Sequence, residues 1–389
     1  MMPTSAPYDV WKTCRGRSTM DKICKKEQIP TPALILDREL FEANLNKLAQ
    51  FAGSRGVALR PHAKTHKCPE IARRQLAQGA IGISVATVAE AEALAAAGIG
   101  PLLLTSPVAE WGKAMRWARL CRSAKHIAAV GDRRQAEMLS EAARQVQVDL
   151  DLLLDLDVGD GRTGALPGAP ALQTAQTIAR LPRLHLRGIQ AYAGHASHVE
   201  GYEARRAASA LAWAKALETR DLLVRAGLDM SIVSGGSTGT YDIDASLGVT
   251  ELQCGSYVFM DLDYRRISSA SAAGPDFALS LTVLATVVSA AHSDRVTVDA
   301  GIKAFATDRA FGPEVKGHSE WTYRRAGDEF GILTAAGGSP LPGWGERVEL
   351  YTPHCDPTVN LYDRLYVVQA DQVVDVWPTV ARRESLPLA

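Results

Sequence analysis

The chain has 389 residues, long enough for two or three domains and a large hydrophobic core. Lysine plus arginine and aspartate plus glutamate balance at 43 each, so no overall field attracts nucleic acid or an anionic membrane surface. The six cysteines show no CxxC spacing, and no apolar stretch approaches the roughly 20 residues of a membrane helix. We therefore expect a cytoplasmic protein with reduced thiols, and neither nucleic acid nor membrane as a partner.

Residues 1–28 carry six cations against three acids, and no apolar segment follows them. A secretory signal requires such a segment, so we do not expect one here. An organelle-targeting leader is the alternative interpretation of this basic stretch. We assign residues 1–28 to an N-terminal extension that joins a C-terminal β domain.

From residue 33 onward, short runs rich in valine, isoleucine and leucine alternate with longer stretches of helical periodicity, which is the pattern of βα units and a parallel sheet. The eight apolar runs are Val57–His62, Ala80–Thr87, Pro101–Ser106, His126–Val130, Val148–Asp157, Leu184–Tyr192, Met230–Gly235 and Glu251–Phe259. The helical stretches between them include Pro69–Ala77, Val88–Ala97, Ala109–Arg122, Asp132–Ala143, Ala169–Arg180 and Gly201–Ala226. Eight such repeats predict a (β/α)8 TIM barrel, which we assign to residues 29–265. A Rossmann sheet is disfavoured because no GxGxxG opens a helix after the first strand.

The pattern changes after residue 265, where short apolar runs are separated by glycine, proline and aspartate without long helical stretches. The runs are Ala278–Ser289, Arg295–Ala300, Arg347–Tyr351, Arg364–Gln369 and Val373–Trp377. They predict an antiparallel C-terminal β domain, assigned to residues 266–389. Residues 270–275 are either the boundary or a loop within that domain.

The first run of the predicted barrel ends in the octapeptide RPHAKTHK, residues 60–67. Barrels carry their working groups at the C-terminal ends of strands, so Lys64 is a candidate for covalent chemistry. Burial and neighbouring cations both disfavour the ammonium form, so we expect a lowered pKa and an amine that can form an imine with an aldehyde. A solvated basic turn is the alternative.

Further polar residues follow the fifth and sixth runs. Arg162 lies in a glycine-rich turn, residues 155–164, and offers a permanently charged guanidinium. In QAYAGHASH, residues 190–198, alternation places Gln190 and Tyr192 on one face. Either His195 or His198 could transfer protons near neutral pH. A structural role is the alternative for each of these side chains.

Glycine- and hydroxyl-rich loops follow the seventh and eighth runs. Barrels commonly bind phosphate with backbone N–H groups of the loops after their last two strands. SGGSTGT occupies residues 234–240, and GSY occupies residues 255–257. We predict a phosphate site formed by Gly236, Ser237, Thr238, Gly255, Ser256 and Tyr257.

The β domain contains PHCDPTVN at residues 353–360. In an extended segment, residues i and i+2 point the same way, so His354 and Asp356 could bind one divalent cation while Cys355 faces the other side. Two protein ligands leave coordination positions for water and substrate. A polar turn is the alternative.

A phosphate site, an imine-forming lysine and proton-transfer groups together suggest an aldehyde cofactor that carries a phosphate, and pyridoxal 5′-phosphate meets this description. With these motifs in this order, the sequence resembles the D-threonine aldolase family. That family includes D-3-hydroxyaspartate aldolases and related D-serine dehydratases, with an alanine-racemase-like fold.

The resemblance implies a role for each candidate residue. Lys64 would hold the cofactor covalently, Arg162 and Tyr192 would lie beside it, and the two loops would bind its phosphate. His354 and Asp356 would hold the cation, with His198 nearby as a catalytic group. The dehydratase branch typically has His-x-Cys at the cation site, so the aspartate favours a harder ion, Mn2+ or Mg2+, and an aldolase. Relatives of this fold pair head to tail, which implies a homodimer.

The reaction implied is cleavage of a small D-3-hydroxy-amino acid to glycine and an aldehyde by a carbon–carbon lyase. The alternatives are a dehydratase of D-serine or hydroxyaspartate on the same scaffold, an alanine-racemase-type enzyme, and a non-catalytic pyridoxal-phosphate-binding protein. D-threonine and D-3-hydroxyaspartate both stay open as substrates. The second carboxylate of the latter would need an extra cation, for which the candidates are Arg60, Lys67, Lys303 and Arg309.

Overall fold

The computed structural model describes residues 24–267 and 276–383. Strand β1 (Ala33–Asp37) and helix α1 (Arg38–Arg55) precede an eight-stranded parallel sheet. Its strands are β2 (Ala58–Leu59), β3 (Ile83–Val85), β4 (Leu102–Leu104), β5 (Ile127–Val130), β6 (Leu150–Leu156), β7 (Leu184–Ala191), β8 (Ile232–Gly235) and β9 (Glu251–Leu252). The order is β2-β9-β8-β7-β6-β5-β4-β3, and a parallel bridge between His62 and Ser84 links β2 to β3 and closes the ring. The predicted barrel is confirmed, and each predicted apolar run contains one of its strands.

Helices connect the barrel strands, and local signals explain where several of them begin. They are α2 (Pro69–Ala77), α3 (Val88–Ala96), α4 (Trp111–Leu120), α5 (Arg133–Val146), α6 (Ala169–Arg180), α7 (Tyr202–Arg225) and α8 (Tyr241–Asp244), with α9 (Leu262–Arg265) after the last strand. The Thr87 and Asp132 side chains accept backbone N–H bonds at the starts of α3 and α5, and Pro69 opens α2. All six helices predicted from the periodicity are present.

The second sheet combines β1 with eight strands from the C-terminal part of the chain. These are β10 (Leu281–Ser289), β11 (Arg295–Val298), β12 (Glu314–Val315), β13 (Trp321–Arg325), β14 (Gly331–Ala335), β15 (Arg347–Tyr351), β16 (Arg364–Gln369) and β17 (Gln372–Pro378). All pairs are antiparallel except β1 with β16. The mainly antiparallel β domain is confirmed, although the predicted runs omit β12, β13 and β14. A short helix, α10 (Cys355–Val359), follows β15.

Strand β1 corrects the predicted boundary of the barrel. It pairs antiparallel with β10 and parallel with β16, so the assignment of residues 29–265 to the barrel is wrong for this strand. An apolar run predicts a strand but does not indicate which sheet the strand joins, which explains the error. Of the predicted extension, residues 24–28 contact the same sheet through a bridge from Lys25 to Gln372. Residues 1–23 and the candidate boundary at 270–275 lie outside the described residues.

One buried carboxylate fastens the β domain to the C-terminal face of the barrel. Asp261, the N-cap of α9, accepts hydrogen bonds from the N–H groups of Tyr264 and Cys355, both at 2.9 Å. The Leu262 N–H donates to Thr352 O at 3.1 Å beside them. These bonds join α9, after the last barrel strand, to α10 in the β domain. Within the described ranges, no helix is both long and apolar enough to cross a membrane.

Candidate active site

A cavity of about 330 Å³ opens at the C-terminal ends of the barrel strands. The predicted residues Lys64, Arg162 and Tyr192 all line it. Asp155 and Gln190, at the ends of β6 and β7, also line it. Its volume is in the range of small-molecule sites, and its position is the one expected for a barrel enzyme.

The turn that carries Lys64 is held by the imidazole of His62. The Lys64 backbone N–H donates to His62 Nδ1 at 3.3 Å, and His62 Nε2 lies 3.0 Å from Thr105 Oγ1. Because the Thr105 hydroxyl donates its own proton to Val85 O at 3.1 Å, it must accept a proton from Nε2. His62 is therefore the neutral Nε2–H tautomer. Burial, together with the nearby positive charge of Lys64, lowers its pKa well below the usual value.

The pKa of Lys64 shifts in the direction opposite to the sequence-based expectation. Burial lowers the pKa of Lys64, but the charges of Asp356 and Tyr192 outweigh burial, so the net shift is upward. The predicted lowering is therefore wrong. It considered cations adjacent in the sequence and missed a carboxylate that the β domain brings to the barrel.

Arg162 and Lys64 both face the ring of Tyr192. The Arg162 guanidinium lies 5.3 Å from the ring centre and Lys64 Nζ lies 5.7 Å from it. The Arg162 side chain is 61 % exposed, and its ion pair with Asp160 is long, at 3.5 Å. His195 belongs to this turn, because its backbone N–H donates to Asp160 Oδ1 at 2.8 Å. Of the two histidines left open by the sequence, His195 is thus tied to the turn.

A network of side chains under the cavity was not predicted as a unit. Gln190 Nε2 donates to Asp155 Oδ1 at 2.9 Å, and the Thr163 hydroxyl donates to Asp155 Oδ2 at 3.0 Å. Gln253 Nε2 donates to Ser234 Oγ at 2.8 Å on the far side. Burial raises the pKa of Asp155 despite these bonds. Gln253 directly follows β9, so examining every strand end for an amide would have found it.

The two predicted phosphate loops lie side by side. The Tyr257 N–H donates to Thr238 Oγ1 at 3.1 Å, which joins them. A Cβ on Gly236, where φ is +81°, would lie 2.7 Å from Leu252, and one on Gly255 would lie 2.6 Å from Thr65 Oγ1. That buried hydroxyl has no hydrogen-bond partner among the described residues. Two loops that pack closely at positions where only glycine is allowed, next to an unpaired buried hydroxyl, fit a phosphate group bound by the backbone.

These loops do not line the 330 Å³ cavity. Thr238 lines a separate space of about 20 Å³. Ser237 Oγ lies 3.0 Å from Thr240 Oγ1, and the Tyr257 hydroxyl accepts a bond from Gln75 Nε2 at 3.2 Å inside the core. The ring of Tyr257 therefore packs in the core, whereas its backbone remains part of the loop.

The predicted cation ligands lie at the start of α10. The predicted extended segment is wrong for Asp356, which is in the first turn of the helix, with His354 as the N-cap. Pro357 is tolerated there because the first turn leaves backbone N–H groups without helical partners. His354 Nδ1 lies 2.7 Å from Asp308 Oδ2, and Asp356 Oδ1 accepts a bond from Ser256 Oγ at 3.2 Å. The second bond connects the predicted phosphate loop to the predicted cation motif.

His198 lies close to this pair. Its ring packs on Tyr264, with centroids 4.4 Å apart, and its Nδ1 is 3.2 Å from Asp263 Oδ2 without hydrogen-bond geometry. Burial lowers the pKa of His198, and the charges of His354 and Asp356 also act on it. No group of three or more His, Cys, Asp or Glu side chains in residues 24–267 and 276–383 is arranged as a metal site. Imidazole and carboxylate donors fit a divalent cation that water or substrate would complete.

Comparison with known proteins agrees with this architecture. Residues 36–263 match the alanine racemase N-terminal domain, and residues 280–368 match a putative serine dehydratase domain. D-threonine aldolase from Arthrobacter sp. is 40 % identical over 91 % of this chain and 93 % of its own length. For 3-hydroxy-D-aspartate aldolase from Paracoccus denitrificans (strain Pd 1222), the identity is 36 %, covering 92 % and 93 %. The crystal structure of D-threonine aldolase from Filomicrobium marinum superposes with a TM-score of 0.89 at 38 % identity, covering 92 % and 96 %.

A parallel barrel with a lysine at its first strand end and a β domain over its C-terminal face defines an enzyme of the alanine-racemase-like class. Enzymes of the aldolase branch work with pyridoxal 5′-phosphate and a metal ion. Within that class, the chain belongs to the D-threonine aldolase family of lyases. Dehydratases are more distant, since the D-threo-3-hydroxyaspartate dehydratase of a Delftia strain is 30 % identical.

Proposed function

We propose that the chain cleaves D-3-hydroxy-amino acids to glycine and an aldehyde, with pyridoxal 5′-phosphate and Mn2+ or Mg2+ as cofactors. The observation that carries the proposal is the 3.2 Å hydrogen bond from Ser256 to Asp356. It joins a residue proposed for the cofactor phosphate to a residue proposed for the cation. An aldolase that needs both cofactors at one substrate requires this proximity.

The barrel residues would hold the cofactor. Lys64 would bind it through its ε-amine, with Tyr192 and Arg162 beside the ring. The two glycine-rich loops, which contain Gly236, Ser237, Thr238, Gly255, Ser256 and Tyr257, would hold its phosphate. When bound, pyridoxal phosphate supplies an electron sink that weakens a bond to the Cα atom of an amino acid.

The β domain would hold the cation through His354 and Asp356. A divalent cation supplies Lewis acidity at the β-hydroxyl of the substrate. The neighbouring Cys355 is fully buried, and burial with the charge of Asp261 raises the pKa of its thiol well above the usual value. A carboxylate at Asp356, a hard oxygen ligand, supports a hard ion such as Mn2+ or Mg2+.

His198 would accept the proton of the β-hydroxyl at Nε2, since its Nδ1 faces Asp263. As this proton leaves, the carbon–oxygen bond becomes a carbonyl, the Cα–Cβ bond breaks and the aldehyde departs. The Cα atom then takes up a proton, and glycine is released.

We propose a substrate whose β-substituent carries no charge. Each of the four cations considered for a second substrate carboxylate already has an acidic partner. Arg60 pairs with Glu251, Lys67 with Glu90, Lys303 with Glu329, and Arg309 with Asp263 and Asp308. D-threonine is therefore favoured over D-3-hydroxyaspartate. We expect kcat/KM for D-threonine to exceed that for D-3-hydroxyaspartate at least about tenfold, because an unpaired carboxylate is costly to desolvate.

Product analysis tests the proposed reaction directly. The purified enzyme is incubated with D-threonine, D-3-hydroxyaspartate and D-serine, with Mn2+ added. Glycine and acetaldehyde from D-threonine are the expected products. A keto acid and ammonia would contradict the aldolase assignment and favour a dehydratase.

We also propose a homodimer. On adjoining loops of the β domain, Ile302 and Phe330 expose 42 % and 46 % of their surface, which is the kind of apolar contact that a second copy covers. Light scattering should give twice the mass of one chain, and a monomeric mass in the active enzyme would remove the proposal.

A further inference from the structure

Arg309 bridges two carboxylates, each of which faces a histidine of the proposed site. Its Nε donates to Asp263 Oδ2 and its Nη1 donates to Asp308 Oδ2, both at 2.8 Å. The same two oxygen atoms face the imidazoles. Asp263 Oδ2 lies 3.2 Å from His198 Nδ1, and Asp308 Oδ2 lies 2.7 Å from His354 Nδ1. One guanidinium therefore fixes the groups behind both rings.

The bridge also connects the two parts of the chain. Asp263 is in α9, directly after the last barrel strand, whereas Asp308 and Arg309 precede β12 in the β domain. The carboxylate of Asp308, hydrogen-bonded to His354 Nδ1, sets the orientation of that ring and leaves Nε2 for a metal ion, whereas Asp263 acts on His198 by close contact and charge. A guanidinium can address two carboxylates with separate, rigidly spaced donors, which an ammonium group cannot do.

We propose that Arg309 is a positioning residue that orients His198 and His354 together. This inference rests on the proposed function, in which both histidines serve one site. The Arg309–Asp308 pair is partly exposed and contributes little to folding, whereas Asp263 and Arg309 are 16 % and 27 % exposed, so the loss of their pair also costs some stability. Mn2+ affinity is therefore the readout that separates the geometric role of the bridge from its effect on stability.

Arg265 provides a matched control. It lies in the same helix as Asp263 and pairs with Glu314 in β12, so it also connects α9 to the β domain, but none of its described contacts is with a histidine. Replacing Arg265 with glutamine removes a more exposed ion pair between the same two parts without touching His198 or His354.

The test measures Mn2+ affinity by calorimetry on the full chain loaded with pyridoxal phosphate, for wild type, R309Q, R309K and R265Q. We expect R309Q to bind Mn2+ roughly 10- to 100-fold more weakly, as is typical when a partner of a metal ligand is lost. R309K should recover part of that affinity, and R265Q should stay within about twofold of wild type. The visible absorbance of the bound cofactor should be the same in all four proteins.

Mn2+ binding by R309Q within about twofold of wild type would overturn the inference, and so would an equal loss in R265Q. A double-mutant cycle gives a second check. Because D308N and R309Q act on His354 through one path, their effects on Mn2+ affinity should not add, and additive effects would count against the bridge. A wild type that binds no Mn2+, or that yields a keto acid, overturns the proposed function as well. If the wild type cleaves the substrate with Mn2+ and R309Q binds Mn2+ as tightly as the wild type, only this inference is overturned.

Discussion

The two halves of the candidate site are held in different ways. In the barrel half, the Lys64 turn is fixed by His62, two residues away, and by Ser84 on the adjacent strand. In the β-domain half, Cys355 is held by Asp261, 94 residues earlier, and Asp356 by Ser256, 100 residues earlier. The first half follows from strand geometry, whereas the second exists only when two parts of the chain dock.

This difference has a functional consequence. The cofactor site should survive damage to the contact between the barrel and the β domain, whereas the cation site should not. The two halves can therefore be separated with two readouts, the visible absorbance of bound pyridoxal phosphate and the affinity for Mn2+.

The largest effect is expected for Lys64→Ala. Without the ε-amine the cofactor loses its covalent anchor, so the visible absorbance should disappear and kcat/KM should fall by about 10⁴ or more. Lys125→Ala is the control, because that exposed lysine precedes β5, at the end of the barrel opposite the cavity. Persistence of the absorbance in the Lys64 variant would assign the cofactor to another amine.

Asp356→Ala should affect the cation and spare the cofactor. We expect Mn2+ affinity to be lost and kcat/KM to fall roughly 10³-fold, since the Lewis acid contributes several kcal/mol. EDTA should inactivate the wild type, and Mn2+ should restore the wild type but not the variant. Asp363→Ala, which removes an exposed aspartate paired with Arg364, is the control. Full activity of the Asp356 variant after EDTA treatment would remove the cation from the mechanism.

The extent to which sequence predicts this molecule follows the same division. The barrel strands were predictable because a parallel sheet buries both faces and so produces uniform apolar runs. Lys64, Tyr192 and Arg162 could be grouped in advance because the C-terminal ends of such strands meet at one face. Grouping did not require knowledge of any contact distant in the sequence.

Other features depended on contacts that no local pattern encodes. The pKa of Lys64 shifts upward because Asp356 arrives from the β domain, and β1 joins the second sheet although its sequence resembles a barrel strand. The segment around His354 and Asp356 is predicted to be extended, but α10 begins at Cys355, and Pro357 suits the first turn of that helix. The hydrogen bonds that Asp261 accepts from Tyr264 and Cys355 have no sequence signature beyond an ordinary N-cap.

Asp261→Ala should therefore separate the two halves most cleanly. It removes a helix cap and a second buried hydrogen bond, so we expect roughly 3 kcal/mol less stability together with weaker Mn2+ binding. The cofactor absorbance should remain. Asp132→Ala, at the exposed N-cap of α5, should cost about 1 kcal/mol and leave Mn2+ binding unchanged. Loss of the cofactor at the same time as the metal in the Asp261 variant would mean that the barrel half also depends on docking.

The smallest expected effect is a loss of folding stability at acid pH, which comes from His66 in the barrel half. Burial lowers the pKa of His66 to about 4, from the usual 6.5. As the pH falls below 6.5, the unfolded chain binds this proton and the folded chain does not, so stability is lost progressively toward pH 4. Between pH 7 and pH 5 the loss from this group is roughly 2 kcal/mol.

His66→Asn isolates this contribution. The asparagine oxygen can still accept the Cys68 N–H bond, which His66 Nδ1 accepts at 3.0 Å, but the side chain does not titrate. Urea unfolding at pH 7 and pH 5 should show the wild type losing more stability than the variant, by about the same 2 kcal/mol. His62, whose pKa is lowered mainly by burial, is present in both proteins, so most of its contribution cancels in the difference. Equal losses of stability in the two proteins would show that His66 takes up its proton in the folded state. The interior around the Lys64 turn would then be accessible to solvent protons.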